Sequence, residues 1–271
     1  MQGRLEKMRV HNADWVQYDI VLNGEMRALN PLIGRIITLE HTGKLVCGHC
    51  GQFMKKSFNQ GYCYPCFARL AQCDLCMVKP ETCHYDAGTC REPHWAETFC
   101  FQPHFVYLAN TSGLKVGITR HSQLPTRWID QGAIQALPVF SVSSRRLSGQ
   151  IEQLLASHVS DKTQWQRMLK HQVQALDLLS QRDRLLGLCS GELARLTHQH
   201  QGQIQFLSQA QMLELHYPLP MPPRKVTALN FDKTPCVSGV LEGIKGQYLI
   251  FEHGVLNVRK FAGYDIRFSV S

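Results

Sequence analysis

Residues 115–133 read KVGITRHSQLPTRWIDQGA. The first part is a short apolar stretch with one glycine, which predicts a strand ending near Arg120. Pro125 marks the first turn of a helix that carries Arg127. Two arginines thus bracket a strand-to-helix turn, with a single acid, Asp130, close by in sequence. A turn of this kind suits a phosphate. The competing use for Arg127 is an ion pair with Asp130, three residues on along the same helix.

Outward from this stretch the pattern is regular. HFVYLAN is a strand, TSG a turn and LKVGIT a second strand, which together make a hairpin. A helix is expected over Gln123–Asp130, and AIQALPVFSV is a third strand. A long helical pattern starts near Arg146 with Ile151, Leu154, Leu155 and Val159. It resumes with Trp165, Met168 and Leu169 after a break near Asp161. The order is β-β-α-β-α-α. Between His104 and Arg146 stand five basic residues, Lys115, Arg120, Arg127, Arg145 and Arg146, against one acid. That local balance points to an anionic polymer, DNA or RNA. Glu152, on the next helix, can supply a hard oxygen ligand for Mg²⁺ or Mn²⁺, with substrate phosphate completing the shell. Read without its neighbours, it is an ordinary solvated helix glutamate.

This arrangement resembles the GIY-YIG nuclease superfamily over residues of about 104–180. Tyr107 in FVYLA matches the tyrosine of the first half-motif, and Lys115-Val116-Gly117 matches the second. Arg127 and Glu152 fall where that family keeps a helix arginine and a metal-binding glutamate. The resemblance implies a phosphodiesterase centre of Tyr107, Lys115, Arg127 and Glu152, in which the arginine steadies the scissile phosphate. The glutamate would hold a divalent ion, and a tyrosine would prepare the attacking water. Lys115 stands where the second tyrosine is expected, which leaves Tyr107 or a metal-bound water as base. An alternative is a catalytically inactive DNA- or RNA-binding protein that uses the same basic face. The stretch from the cysteines through RWIDQGA is also similar to a prokaryotic family known only as a domain of unknown function.

Cysteine usage carries the second signal. Of eleven cysteines, nine lie between Cys47 and Cys100. Residues 47–66, CGHCGQFMKKSFNQGYCYPC, place C-x2-C, twelve residues and a second C-x2-C in series. Paired C-x2-C turns set four thiolates at the corners of a tetrahedron, so Cys47, Cys50, Cys63 and Cys66 are expected to bind a structural Zn²⁺. Cys73, Cys76, Cys83, Cys90 and Cys100 follow, interleaved with His84, His94 and His104, and imply at least one further zinc. Cys73 and Cys76 are its firmest ligands by spacing, and the remaining places stay open. Between Cys47 and Cys73 there is no acid. Phe53, Lys55, Lys56, Phe58, Tyr62, Tyr64, Phe67 and Arg69 alternate cations with rings. That mixture serves a single-strand platform and serves a ribbon core equally well.

The formal charge is +8, but each four-thiolate zinc site carries a net −2, so two sites would halve it. MQGRLEKMRVHNADW has no apolar run of the signal-peptide kind, and no stretch reaches the roughly 20 apolar residues of a membrane span. The expected compartment is the cytoplasm. The fold class is α+β, in five parts. Residues 1–46 are β-rich, 47–103 hold the cysteines, 104–180 the β-β-α-β-α-α unit and 181–216 a helical extension. YPLPMPP (217–223) is a linker, and 224–271 alternate apolar and polar residues as a small β unit. NG at 23–24 marks a hairpin in the N-terminal part, and the two ends are candidates for one shared β unit.

Overall fold

The computed structural model describes residues 1–159, 164–170, 173–223 and 225–271. The break expected near Asp161 lies outside these residues. The N-terminal part holds β1 (Gln2–Arg4), β2 (Arg9–His11), β3 (Gln17–Leu22), β4 (Glu25–Ala28) and β5 (Ile36–Leu45). Asn23 and Gly24 turn β3 into β4 with φ of 52° and 80°, the left-handed pair that a two-residue hairpin requires. The cysteine region carries two short helices, α1 (Tyr64–Arg69) and α2 (Pro93–Phe99), joined by 3₁₀ turns. Then come β6 (His104–Asn110), β7 (Leu114–Arg120), α3 (Thr126–Asp130), β8 (Gln135–Val142), α4 (Arg145–Ala156) and α5 (Trp165–Leu169). The chain continues through α6 (Leu178–Leu188), α7 (Ser190–Gln199), β9 (Ile204–Phe206) and β10 (Leu213–Glu214). It ends with β11 (Cys236–Lys245), β12 (Tyr248–Phe251), β13 (Gly254–Asn257) and β14 (Tyr264–Val270).

The strands form three sheets, and the protein is a mixed α/β fold with seven α-helices among the described residues. One sheet has the order β1-β14-β5-β11-β12-β13, so residues from both ends of the chain share one sheet and one core. The central sheet has the order β10-β8-β6-β7, with β9 added on β8, and β7 is its free edge. β2, β3 and β4 form the third.

Side-chain alternation along β6 explains how the central sheet is sandwiched. Val106 and Leu108 pack with Leu147, Ile151 and Leu155 of α4 and with Leu178 and Leu185 of α6. Tyr107 and Ala109 face the opposite way and join the core of the six-stranded sheet with Trp128 and Ile129 of α3. Pro138 sits inside β8, where a missing N–H would break a ladder. The register shifts there, from Val106↔Phe140 to Tyr107↔Pro138, and this bulge absorbs the proline. Ser144 caps α4 by accepting from the Leu147 amide.

Two expected elements differ. The helix foreseen over Gln123–Asp130 begins only at Thr126, because Pro125 holds Leu124 in an extended conformation, φ −91° and ψ 139°. Residues 204–214, within the stretch read as helical, form β9 and β10 against β8 after a left-handed Gly202 ends the preceding turn.

Candidate functional site

Two pieces of chain build the cysteine group. Cys47 follows the end of β5, and Gly51 donates to the Cys47 carbonyl (3.0 Å) to close the first turn. Cys63 precedes α1, whose second residue, Pro65, needs no hydrogen-bond acceptor, and Cys66 sits on that helix. The ligand atoms of Cys47, Cys50, Cys63 and Cys66 all lie within 4.8 Å of one another. Cys50 and Cys63 sulfurs are 3.7 Å apart, close to the edge of about 3.8 Å of a tetrahedron with bonds of about 2.3 Å. The Cys63 amide donates to the Cys47 sulfur at 3.3 Å. Burial opposes ionisation of Cys47, yet amides of Cys50, Cys63 and His49 bring its pKa down to about 6. These four thiols can hold a metal such as zinc.

A second group contains Asp74, Cys76 and His84, again within 4.8 Å. Asp74 accepts from the Cys76 amide (3.1 Å) and pairs with Arg91 (2.6 Å). Cys76 is pushed up to about 12 by burial and by Asp74, Cys83 and Cys100 nearby. Cys100 rises to about 11 by burial, with Cys83 and Cys90 adding to it. Cys83 thus lies near both Cys76 and Cys100, and Cys90 near Cys100. Cys73, expected as their partner, packs instead with Cys47, Cys66 and Leu70 in the core of the first group. The C-x2-C spacing is there, but with a 3₁₀ turn on either side of Asp74, Cys73 joins the first group's core while Cys76 stands with Asp74 and His84. His94 is fully exposed, and buried His104 leaves Nε2 without a partner.

Between the cysteine region and the free edge of β7 lies a cleft of about 830 Å³. Lys115, Gly117 and Arg120 of β7, Arg127 of α3, and Arg145 and Glu152 of α4 all line it. Distant chain completes the walls: Lys7, Arg91 and Arg259. Seven cations and three carboxylates share the lining. Lys7 is taken by Asp130 (2.8 Å) and Arg91 by Asp74, and Asp130 also accepts from Gln247 (2.9 Å). Asp130 is thereby engaged elsewhere, and Arg127 forms no ion pair among the described residues. The Arg127–Asp130 pair that its helical spacing allowed is not made.

Tyr107 lies under the cleft floor, fully buried, and its ring occupies the space left by Gly117 across the strand pair. Its hydroxyl is 3.1 Å from the Gln131 side chain. With the amide nitrogen turned to donate to that hydroxyl, the amide oxygen accepts from Arg127 Nε (3.3 Å) and Nη2 (3.2 Å). A Tyr107–Gln131–Arg127 relay thus fixes the guanidinium. Burial raises the Tyr107 pKa, against a lowering by Arg127. Glu152 is half-buried and makes no hydrogen bond or ion pair among the described residues. Its pKa is raised to about 7 by burial, although Lys115, Arg145 and Arg127 all pull it down.

Other expected contacts are placed elsewhere. Arg146 pairs with Asp86 (2.6 Å) and lines a different pocket, beside Cys83 and Tyr85. Arg145 reaches the cleft but spends Nη2 on the Met77 carbonyl (2.6 Å). Lys55 and Lys56 are exposed on the ribbon, outside the cleft lining. Lys7, Arg259 and Gln131 were missed by the sequence reading. Lys7 and Arg259 stand on segments near the two ends of the chain, far in sequence from the basic residues of 104–146, and Gln131 differs in no local signal from other glutamines.

Fold and sites define a mixed α/β protein with a four-cysteine group that can hold a metal and a basic cleft at a sheet edge. The chain belongs to the family described as protein of unknown function DUF2797, whose model matches residues 34–266. No curated protein and no solved structure matched the chain. No helix among the described residues is long and apolar enough to cross a membrane.

Proposed function

We propose that this chain is a zinc-containing, metal-dependent nucleic-acid phosphodiesterase resembling the GIY-YIG nucleases. The observation that carries the reading is that Lys115, Arg127 and Glu152, from three different elements, line one cleft above a buried Tyr107. Zinc in the Cys47 group holds structure, since its four thiolates leave no open position.

Glu152 offers one unengaged carboxylate beside three cations, a donor set that fits Mg²⁺ or Mn²⁺ shared with substrate phosphate and water. Such an ion supplies charge neutralisation and a more acidic water when bound. Arg127, held by Gln131, stabilises charge developing on the phosphodiester. Lys115 adds positive charge at the β7 edge. Arg120, stacked 3.7 Å over Phe99, positions the strand. Tyr107, sealed from solvent, acts through the relay and touches no water in the cleft.

One observation favours a second reading. With Tyr107 buried and Lys115 in the other tyrosine position, Glu152 is the one cleft carboxylate among the described residues that is not ion-paired and so left to accept a proton, Asp74 and Asp130 being held by Arg91 and Lys7. A DNA- or RNA-binding protein without cleavage would keep the same face. A panel of single-stranded, duplex and branched DNA and RNA, incubated with Mg²⁺ or Mn²⁺, separates the two. Cleavage of any member supports the enzyme, and binding without cleavage supports the binder.

A further inference from the structure

Rings on the ribbon form a path into the cleft. Phe58 stacks on Phe67 with centroids 5.6 Å apart and meets Tyr64 edge-on at 5.5 Å. Phe67 lines the cleft itself. Lys56 stands 5.3 Å from the Phe58 ring, and Arg91 donates to the Phe67 carbonyl at 3.1 Å. Cations therefore stand beside Phe58 and at Phe67, where the path meets the cleft.

A small zinc module can use its aromatics only as core, but the burial here separates two kinds. Its core is Cys47, Cys66, Leu70 and Cys73, with Met54, Tyr62 and Phe67 packed on it. Tyr64 is 63% exposed and Phe53 73% exposed, so neither fills that core. Exposed Tyr64, joined edge-on to a half-buried Phe58 that has Lys56 beside it and stacks on the cleft-lining Phe67, matches the demands of unpaired bases, each of which has a π-face to stack. A continuous duplex keeps those faces inside its own stack and offers the ribbon only phosphates.

We propose that the Tyr64–Phe58–Phe67 face stacks unpaired bases of a single strand whose backbone then enters the cleft. This rests on the nucleic-acid reading above and names its substrate class: a single strand or single-stranded flap, in preference to continuous duplex.

Fluorescence anisotropy with labelled single-stranded DNA, single-stranded RNA and duplex DNA of matched length, without divalent metal, tests it. At least one single strand is expected to bind about tenfold or more tighter than duplex. Tyr64→Ala should weaken that strand on the order of tenfold, Tyr64→Trp should restore it, and duplex affinity should not change. Zinc content of each variant, measured in parallel, shows that the ribbon is intact. Duplex binding as tight as the tighter of the two single strands, or Tyr64→Ala binding like wild type with its zinc retained, overturns the proposal while leaving a duplex-directed cleft standing. No binding of any of the three overturns the nucleic-acid reading and this proposal with it. The DNA and RNA arms identify which sugar the face accepts.

Discussion

A Cβ placed on Gly117 would lie 2.6 Å from the Tyr107 ring, directly across the β6–β7 pair. Side chain and glycine are therefore one fitted unit, and the strand edge that bears Lys115 is shaped around it. Gly117→Ala is expected to cost roughly 1–3 kcal/mol, as over-packing of a filled core does. Tyr107→Phe keeps the ring and loses only the hydroxyl contact to Gln131, for about 1 kcal/mol. Urea unfolding of both variants checks the order, and a Gly117→Ala protein as stable as wild type would contradict the fit.

Metal content follows from the two ligand groups. Purified protein should carry at least two zinc ions per chain. Cys63→Ser should lose one of them and unfold the ribbon, since binding is folding free energy in modules this small. Cys76→Ser should lose the other and leave the Cys47 group loaded. Elemental analysis showing less than one zinc, or disulfides in protein from freshly lysed cells, would contradict both assignments.

The buried Glu152 sets a pH dependence whose sign is fixed. Its folded pKa of about 7 lies above the ordinary 4.5, so the folded chain holds this proton more tightly than the unfolded one. Stability at this group is therefore lost as pH rises from about 4.5 to 7 and stays lost above. Lys115, Arg145 and Arg127 limit the loss, and Glu81 adds to it. Without divalent metal, Glu152→Gln should raise Tm by a few degrees at pH 8 and change it little at pH 4. Equal shifts at both pH values would remove burial as the cause.

Phosphate contacts release counterions, so affinity for DNA or RNA should fall steeply as salt rises. Arg127→Ala with Lys115→Ala should weaken binding to all sequences alike and flatten that slope by roughly two contacts. A flat response in wild type would turn the cleft into a feature of no polyanion.

What the sequence made legible was local. The Phe, Val, Tyr and Leu content of HFVYLAN and the helix start at Pro125 are properties of neighbouring residues, as are the C-x2-C turns. The β-β-α-β-α-α order and the Cys47 group could be read from them. Tertiary partners could not. Lys7 and Arg259 reach the cleft because β1 and β14 pair across the whole chain, and no local pattern encodes that pairing. Cys73 parted from Cys76 for the same reason. Spacing placed them together, and packing on Leu70 drew one toward the first group. Arg146 was counted with Arg145 by adjacency, whereas the helix turns it toward Asp86.

The central claim is that Glu152 serves chemistry and not affinity. The direct measurement is single-turnover cleavage of a bound substrate, with Mn²⁺ or Mg²⁺, alongside its equilibrium binding, for wild type and Glu152→Ala. The expected result is cleavage by wild type and none by Glu152→Ala, with binding nearly unchanged, because the variant loses the ion's ligand and no phosphate contact. Arg127→Ala should sit between them, slower by roughly two or more orders of magnitude. Cleavage by Glu152→Ala at the wild-type rate would contradict the proposed active centre.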